Sequence, residues 1–164
     1  MSEGLQERTT PTVFEWQAGQ IEAAAKNVAF WVSTTPEDRL SWEPKAEGEN
    51  SKTRSIYDMI HECSQVNRRF ANLFMGTPNG DWVPQHAYTS SEQAQNDLIA
   101  SAHEFAEVVK GLDDGALNRE YTTPRGSMKG SFMLSLVVGN LYYHGGQINQ
   151  IQLLLGDEEF RFPE

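Results

Sequence analysis

Only one cysteine, Cys63, occurs in 164 residues. This excludes an internal disulfide framework and suits a reducing compartment. Basic residues are also few, 13 Lys and Arg against 23 Asp and Glu, for a formal charge of −10. Binding to phosphate backbones needs clustered cations, so nucleic acid is not an expected partner. No stretch approaches 18 consecutive apolar residues, and the opening MSEGLQERTTP lacks the apolar centre of a secretion signal. A soluble, cytoplasmic protein without a membrane partner is expected. Low-complexity tracts and internal repeats are absent. At this length the chain should form one domain, residues 1–164, around a full hydrophobic core.

What the sequence does contain is helical periodicity. Phe14, Ala18, Ile21, Ala25, Val28 and Trp31 or Val32 recur at steps of three and four, predicting a helix from about Thr12 to Val32, started at Thr10 or Thr12. The connector 33–54 is rich in Pro, Gly and charge. Pro36 there is expected to open a helical turn capped by Thr35, with Leu40 and Trp42 lying back on the bundle. Ser55 and Asp58 form a capping-box-like start to a second helix, ended by Gly76. Its apolar stripe is Ile56, Met59, Ile60, Cys63, Asn67, Phe70 and Phe74. Ala94, Leu98, Ala102, Phe105 and Val109 mark a third helix, about Ser90 to Leu112. A fourth begins near Ser127 or Ser131 and runs to Leu155. No segment alternates convincingly as a strand, so the expected fold is an all-α four-helix bundle. The connectors 33–54 and 77–89 are long enough for crossovers.

The fourth helix carries an anomaly. Met133, Val137, Asn140, His144, Ile148, Ile151 and Leu155 lie along one line, with Gln147 beside it. Burying an unpaired amide or imidazole costs roughly 1–3 kcal/mol, so these groups need partners: one another, another helix, water, a ligand or a metal. Gly145 and Gly146 interrupt the same helix at about 1 kcal/mol each relative to Ala, which suggests close approach by another backbone or an open volume beside His144.

Three segments, LSWEP at 40–44, RSIYDMIHECSQVN at 54–67 and YHGGQINQIQLLLGD at 143–157, resemble the DinB/YfiT-like superfamily of bacterial four-helix-bundle proteins. The resemblance spans essentially the whole chain. It implies a divalent-metal site in the bundle core, held in metal-binding members by three histidines. One of these comes from the second helix and two from a His-x-x-x-His pair on the fourth. It further implies hydrolase-like or thiol-dependent transferase chemistry on a small molecule, and a homodimer. Carried over by position, His144 matches the second histidine of the pair, Asn140 falls on the first, and Glu62 falls on the second-helix histidine.

Helical geometry agrees in preferring Glu62 to His61. Glu62 lies about 90° from the centre of the apolar stripe and His61 about 170°, which assigns His61 to a solvent or subunit-contact surface. Glu62, Asn140 and His144 could bind zinc, nickel or manganese, less tightly for zinc than three imidazoles would. Alternatively they close a metal-free hydrogen-bond network in a binding or structural protein, Glu62 raising the His144 pKa. Gln147 either orients His144 or a bound water, or makes a helix-packing hydrogen bond, the last slightly favoured. Tyr143 should pack between helices or on the LSWEP lid. Cys63 reads as an inert core thiol and His86 and His103 as surface histidines; Arg68 and Arg69 could attract an anionic substrate but read by default as solvated charges, and the four tryptophans read as core or loop anchors, one or two of which could line a pocket mouth.

Overall fold

The computed structural model describes residues 10–45, 53–159 and 161. The first helix, α1 (Val13–Ser33), is started by Thr12. Its hydroxyl accepts from the Glu15 amide at 3.1 Å, while the Glu15 carboxylate accepts from the Thr12 amide at 2.7 Å. This reciprocal cap satisfies two amides that the first turn would otherwise leave without partners. Ser55 and Asp58 make the same device at the start of α2 (Ile56–Met75). Ser90 caps α3 (Ser91–Lys110), and α4 covers Gly130–Leu154. The inward residues expected on α1 and α3 are buried, and Asn67, within the α2 stripe, is buried by donating to Ser101 Oγ at 3.0 Å. Full burial of each large aliphatic or aromatic side chain contributes roughly 1.5–3 kcal/mol.

Around the bundle, α1 packs on α3 and α4, and α2 packs on the same two helices, so α1 and α2 face each other across the diagonal. The connector 34–55 therefore joins two helices that lie across the diagonal. The other diagonal connection is 111–129, whereas 77–89 joins the adjacent helices α2 and α3, correcting the expectation that it supplies a crossover.

Four further local expectations are corrected. Thr35 does not cap a helical turn: a single 3-10 turn, Glu37–Arg39, follows Pro36 without a side-chain cap. The Thr35 hydroxyl instead donates to Trp31 O and accepts from Gln152 Nε2, each at 3.0 Å. Residues 120–129 form a hairpin, β1 (Glu120–Thr123) with β2 (Gly126–Lys129). Pro124 and Arg125 form its turn between Thr123 and Gly126, where the Thr123 hydroxyl accepts from the Arg125 amide at 3.1 Å. Consequently Ser127 lies in β2, and α4 starts at Gly130. Only glycine fits there, because a Cβ would sit 2.1 Å from the Ala116 carbonyl oxygen. Finally, Trp16 is exposed on α1 rather than an anchor.

The lid behaves as expected. Leu40 is fully buried and its carbonyl accepts from the Tyr57 amide at 3.1 Å, which ties the connector to the first turn of α2. Trp42 packs half-buried against the core. None of the described helices is long and apolar enough to cross a membrane.

Candidate metal centre

Packing of α2 on α4 brings Glu62 and His144 together, with Glu62 Oε1 3.5 Å from His144 Nε2. His144 is 3% exposed at its side chain and Glu62 21%. Asn140 lies one turn before His144 on α4 and is half-buried. Two atoms belonging to these residues, Asn140 Oδ1 and His144 Nε2, are buried without a hydrogen-bond partner among the described residues. Such atoms ordinarily find partners, since leaving one unsatisfied costs about 1–3 kcal/mol.

The protonation of His144 follows from its other nitrogen. His144 Nδ1 is 2.7 Å from Gln147 Oε1, and Gln147 Nε2 donates to the Tyr143 hydroxyl at 3.1 Å. An amide oxygen only accepts, so Nδ1 carries the proton and Nε2 turns a lone pair toward Glu62. Gln147 thus orients His144, in place of the packing bond that the sequence slightly favours. Tyr143 is exposed rather than packed between helices, and its ring stands edge-on to the imidazole at 5.2 Å.

Burial holds the His144 pKa below its ordinary value, opposed by the Gln147 hydrogen bond and reinforced by the positive charge of Arg54. The expectation that Glu62 raises this pKa is therefore corrected: desolvation of the imidazolium dominates. The consequence for stability has a definite sign. Near pH 6.5 and below, the unfolded chain takes up a proton that folded His144 resists, so this contribution is complete above the ordinary histidine pKa and declines as pH falls below it. Urea unfolding at pH 7.5 and 5.5 should show the wild type losing more stability on acidification than His144→Gln; equal losses would contradict it.

Arg54 completes the cluster and has no place in the sequence reading. Its guanidinium contacts Glu62 Oε2 while its side chain remains 47% exposed. The residue sits just before the Ser55 cap, in irregular backbone that no periodicity rule covers. Its only signal in the sequence is a cation bordering the segment that bears Glu62.

The remaining candidates lie elsewhere. His61 is half-buried, with Nε2 2.9 Å from Val83 O of the 77–89 loop at a partly open surface, away from the centre. His86 is likewise half-buried, stacked on Tyr88 with Nε2 3.9 Å from Asp58. His103 is exposed and paired with Glu22 at 2.9 Å. Arg68 bonds to Asp97 and Glu104, and Arg69 donates to Gly80 O beneath Trp82, so both are engaged rather than free solvated charges. Burial pushes the Cys63 thiol up to about 12, which leaves it inert as expected. Among the described residues no three His, Cys, Asp or Glu side chains cluster as metal ligands, so any third donor beside Glu62 and His144 would be the Asn140 amide.

The glycines also find their reasons. A Cβ on Gly145 would lie 2.5 Å from Trp31 Cζ3, so the close approach is by an indole rather than by backbone. Gly146 faces open space.

Comparison with curated proteins gives no match. Among solved structures, YfiT from Bacillus subtilis, described as a probable metal-dependent hydrolase with an unusual four-helix bundle topology, aligns with a TM-score of 0.69. It is 12% identical over 94% of this chain and 94% of its own. YjoA, a DinB-like protein from the same bacterium, aligns with a TM-score of 0.66 at 13% identity over 91% of this chain and 96% of its own. These likenesses establish a shared fold. The sequence profile of the DinB superfamily itself matches residues 20–148, most of the chain. The chain belongs to the DinB superfamily.

Proposed function

We propose that Glu62, Asn140 and His144 form a divalent-cation site serving hydrolysis of, or thiol transfer to, a small electrophilic molecule. The observation that carries this reading is the pair of acceptors facing each other in the interior: the His144 Nε2 lone pair and Glu62 Oε1, 3.5 Å apart. Two acceptors form no hydrogen bond, and a cation between them would satisfy both. The separation suits it, since metal–nitrogen and metal–oxygen bonds of about 2.0–2.2 Å at a tetrahedral angle place their donors ~3.4 Å apart. Asn140 Oδ1, buried and unpartnered, supplies a neutral oxygen. Zinc, nickel and manganese all accept such a mixed set. YfiT's description as a probable metal-dependent hydrolase points the same way.

When bound, the ion would act as a Lewis acid and lower the pKa of a water or low-molecular-weight thiol. The chain's own part is orientation. Gln147 fixes the imidazole in the Nδ1–H form, and Arg54 holds one oxygen of Glu62, leaving Oε1 toward His144. The metal-free alternative, a closed network among the three residues, is disfavoured by the unpartnered His144 Nε2 and Asn140 Oδ1. Titration of protein prepared without chelators should show one equivalent of zinc, nickel or manganese bound. Failure of all three to bind would end the proposal. The single free, buried cysteine accords with the cytoplasmic residence we also propose.

The homodimer is proposed to form through the outer face of α4. Residues 130–154 contain no Asp, Glu, Lys or Arg in a chain of net charge −10. Phe132, Tyr143 and Leu154 stand exposed along one line of this helix, roughly opposite its buried Val137, Leu141 and Ile148. Two strongly acidic copies repel least where neither carries an acid, which makes a second copy the fitting occupant. Sedimentation equilibrium should give a dimer for the wild type and a monomer for Phe132→Lys/Leu154→Lys. A wild type that is monomeric at every concentration would contradict it.

A further inference from the structure

Arg54 differs from the other arginines in ion pairs. Arg68, Arg119 and Arg161 pair with carboxylates away from the centre, and Arg39 with its neighbour Asp38. Arg54 instead touches the carboxylate that faces His144, and does so with its side chain 47% open to solvent. A guanidinium offers five N–H donors in a rigid fork, and one carboxylate oxygen leaves donors to spare. A side chain that only neutralised Glu62 could do so from a buried position; this one straddles the interior and the solvent.

We propose that Arg54 recognises an anionic substrate, a small molecule bearing a carboxylate or phosphate, and couples its binding to that of the cation. This rests on the functional reading above and names its substrate class. Glu62 lies between two positive charges, the guanidinium at Oε2 and the cation position at Oε1. The two cations repel, and this repulsion opposes cation binding for as long as no anion accompanies Arg54. An oxyanion accepting from the exposed N–H groups compensates that charge, and cation and anion then bind cooperatively. Coupling of this kind is reciprocal, typically about 5-fold or more in affinity. In a chain of net charge −10, a half-exposed cation beside the centre also favours the approach of an anion.

Two measurements separate this inference from the functional reading. In metal-free protein, NMR of the Arg54 Nε–Hε and His144 ring signals is followed during titration with acetate and, separately, inorganic phosphate. Saturable shifts are expected, with the His144 shifts lost in Arg54→Gln and retained, weaker, in Arg54→Lys. The anion giving the tighter curve identifies the favoured group. Absent or unsaturable shifts, or His144 shifts that persist unchanged in Arg54→Gln, would overturn the proposal. In the second arm, manganese affinity is measured with and without saturating acetate. Acetate should tighten binding about 5-fold or more in the wild type and leave Arg54→Gln unchanged. Manganese binding indifferent to acetate would refute the coupling and leave the cation site standing. If no metal binds, the functional reading fails and the anion titration still decides whether Arg54 receives an anion. Near-native circular dichroism of Arg54→Lys guards against a folding defect.

Discussion

His144→Ala is expected to bind zinc, nickel and manganese at least about 100-fold more weakly than the wild type. Loss of a partner that merely orients a metal ligand typically costs 10–100-fold, and His144 is the only nitrogen donor proposed. Its imidazole suits the role before any ion arrives: burial keeps it neutral near pH 7, and Gln147 takes Nδ1–H so that Nε2 is the free donor. Glu62→Ala should have a comparable effect by removing the only anionic ligand, and Gln147→Ala a smaller one, about 10-fold or more. His61→Ala and His103→Ala serve as controls, since their rings are engaged with Val83 O and Glu22. Isothermal titration at pH 7.5 reads all five variants. Undiminished affinity in His144→Ala would place any bound metal elsewhere.

The two adjacent glycines of α4 should respond to alanine with opposite signs. At Gly145 the new methyl would lie 2.5 Å from Trp31 Cζ3 and 3.1 Å from Cε3, closer than any relaxed contact. The indole must therefore shift, although its residue is tied into the bundle through Trp31 O, which accepts from Gln152 Nε2 at 3.0 Å. Overpacking costs about 1–3 kcal/mol, and better helix propensity returns at most about 1 kcal/mol. A net loss of about 1–2 kcal/mol corresponds to a fall in Tm of roughly 2–8 °C at this chain length. Trp31→Phe removes the offending atoms, so combining it with Gly145→Ala should cost less than the sum of the single changes. Gly146→Ala meets nothing within 4 Å and should stabilise by about 0.4–1 kcal/mol in dilute protein. Thermal unfolding distinguishes the cases, and equal effects at the two positions would contradict the assigned role of Trp31.

This pair also marks how far the sequence alone could be read. Two glycines in the middle of a helix stand out as costly, but only the packed structure reveals that an indole from α1 crowds one and leaves the other open. The same division holds for the fold. Helix limits were legible because caps are local: Thr12 with Glu15 and Ser55 with Asp58 complete their hydrogen bonds within four residues. The hairpin escaped notice because four-residue strands are too short for alternation to show, although Pro124 and Gly126 mark its turn. Connector length did not reveal which links cross the diagonal, because loop closure depends only weakly on length.

At the centre, the approach of Glu62 to His144 accords with the family pattern and helical spacing. Arg54 lay outside both, since it precedes the helix and reaches Glu62 from irregular backbone. For the His144 pKa, a neighbouring carboxylate is visible in the sequence and predicts a rise, while the desolvation that outweighs it arises only from packing. Tyr143 was misplaced for a related reason: α4 is apolar on its outer face as well as its inner one, so apolar character did not tell inside from outside.

The most direct test is anomalous X-ray scattering from crystals grown with one equivalent of zinc. A single strong peak between His144 Nε2 and Glu62 Oε1, within bonding reach of Asn140, is the expected result. Ordered density for these residues with no anomalous peak between them, or a peak only at a surface pair such as His103 and Glu22, would contradict the assignment.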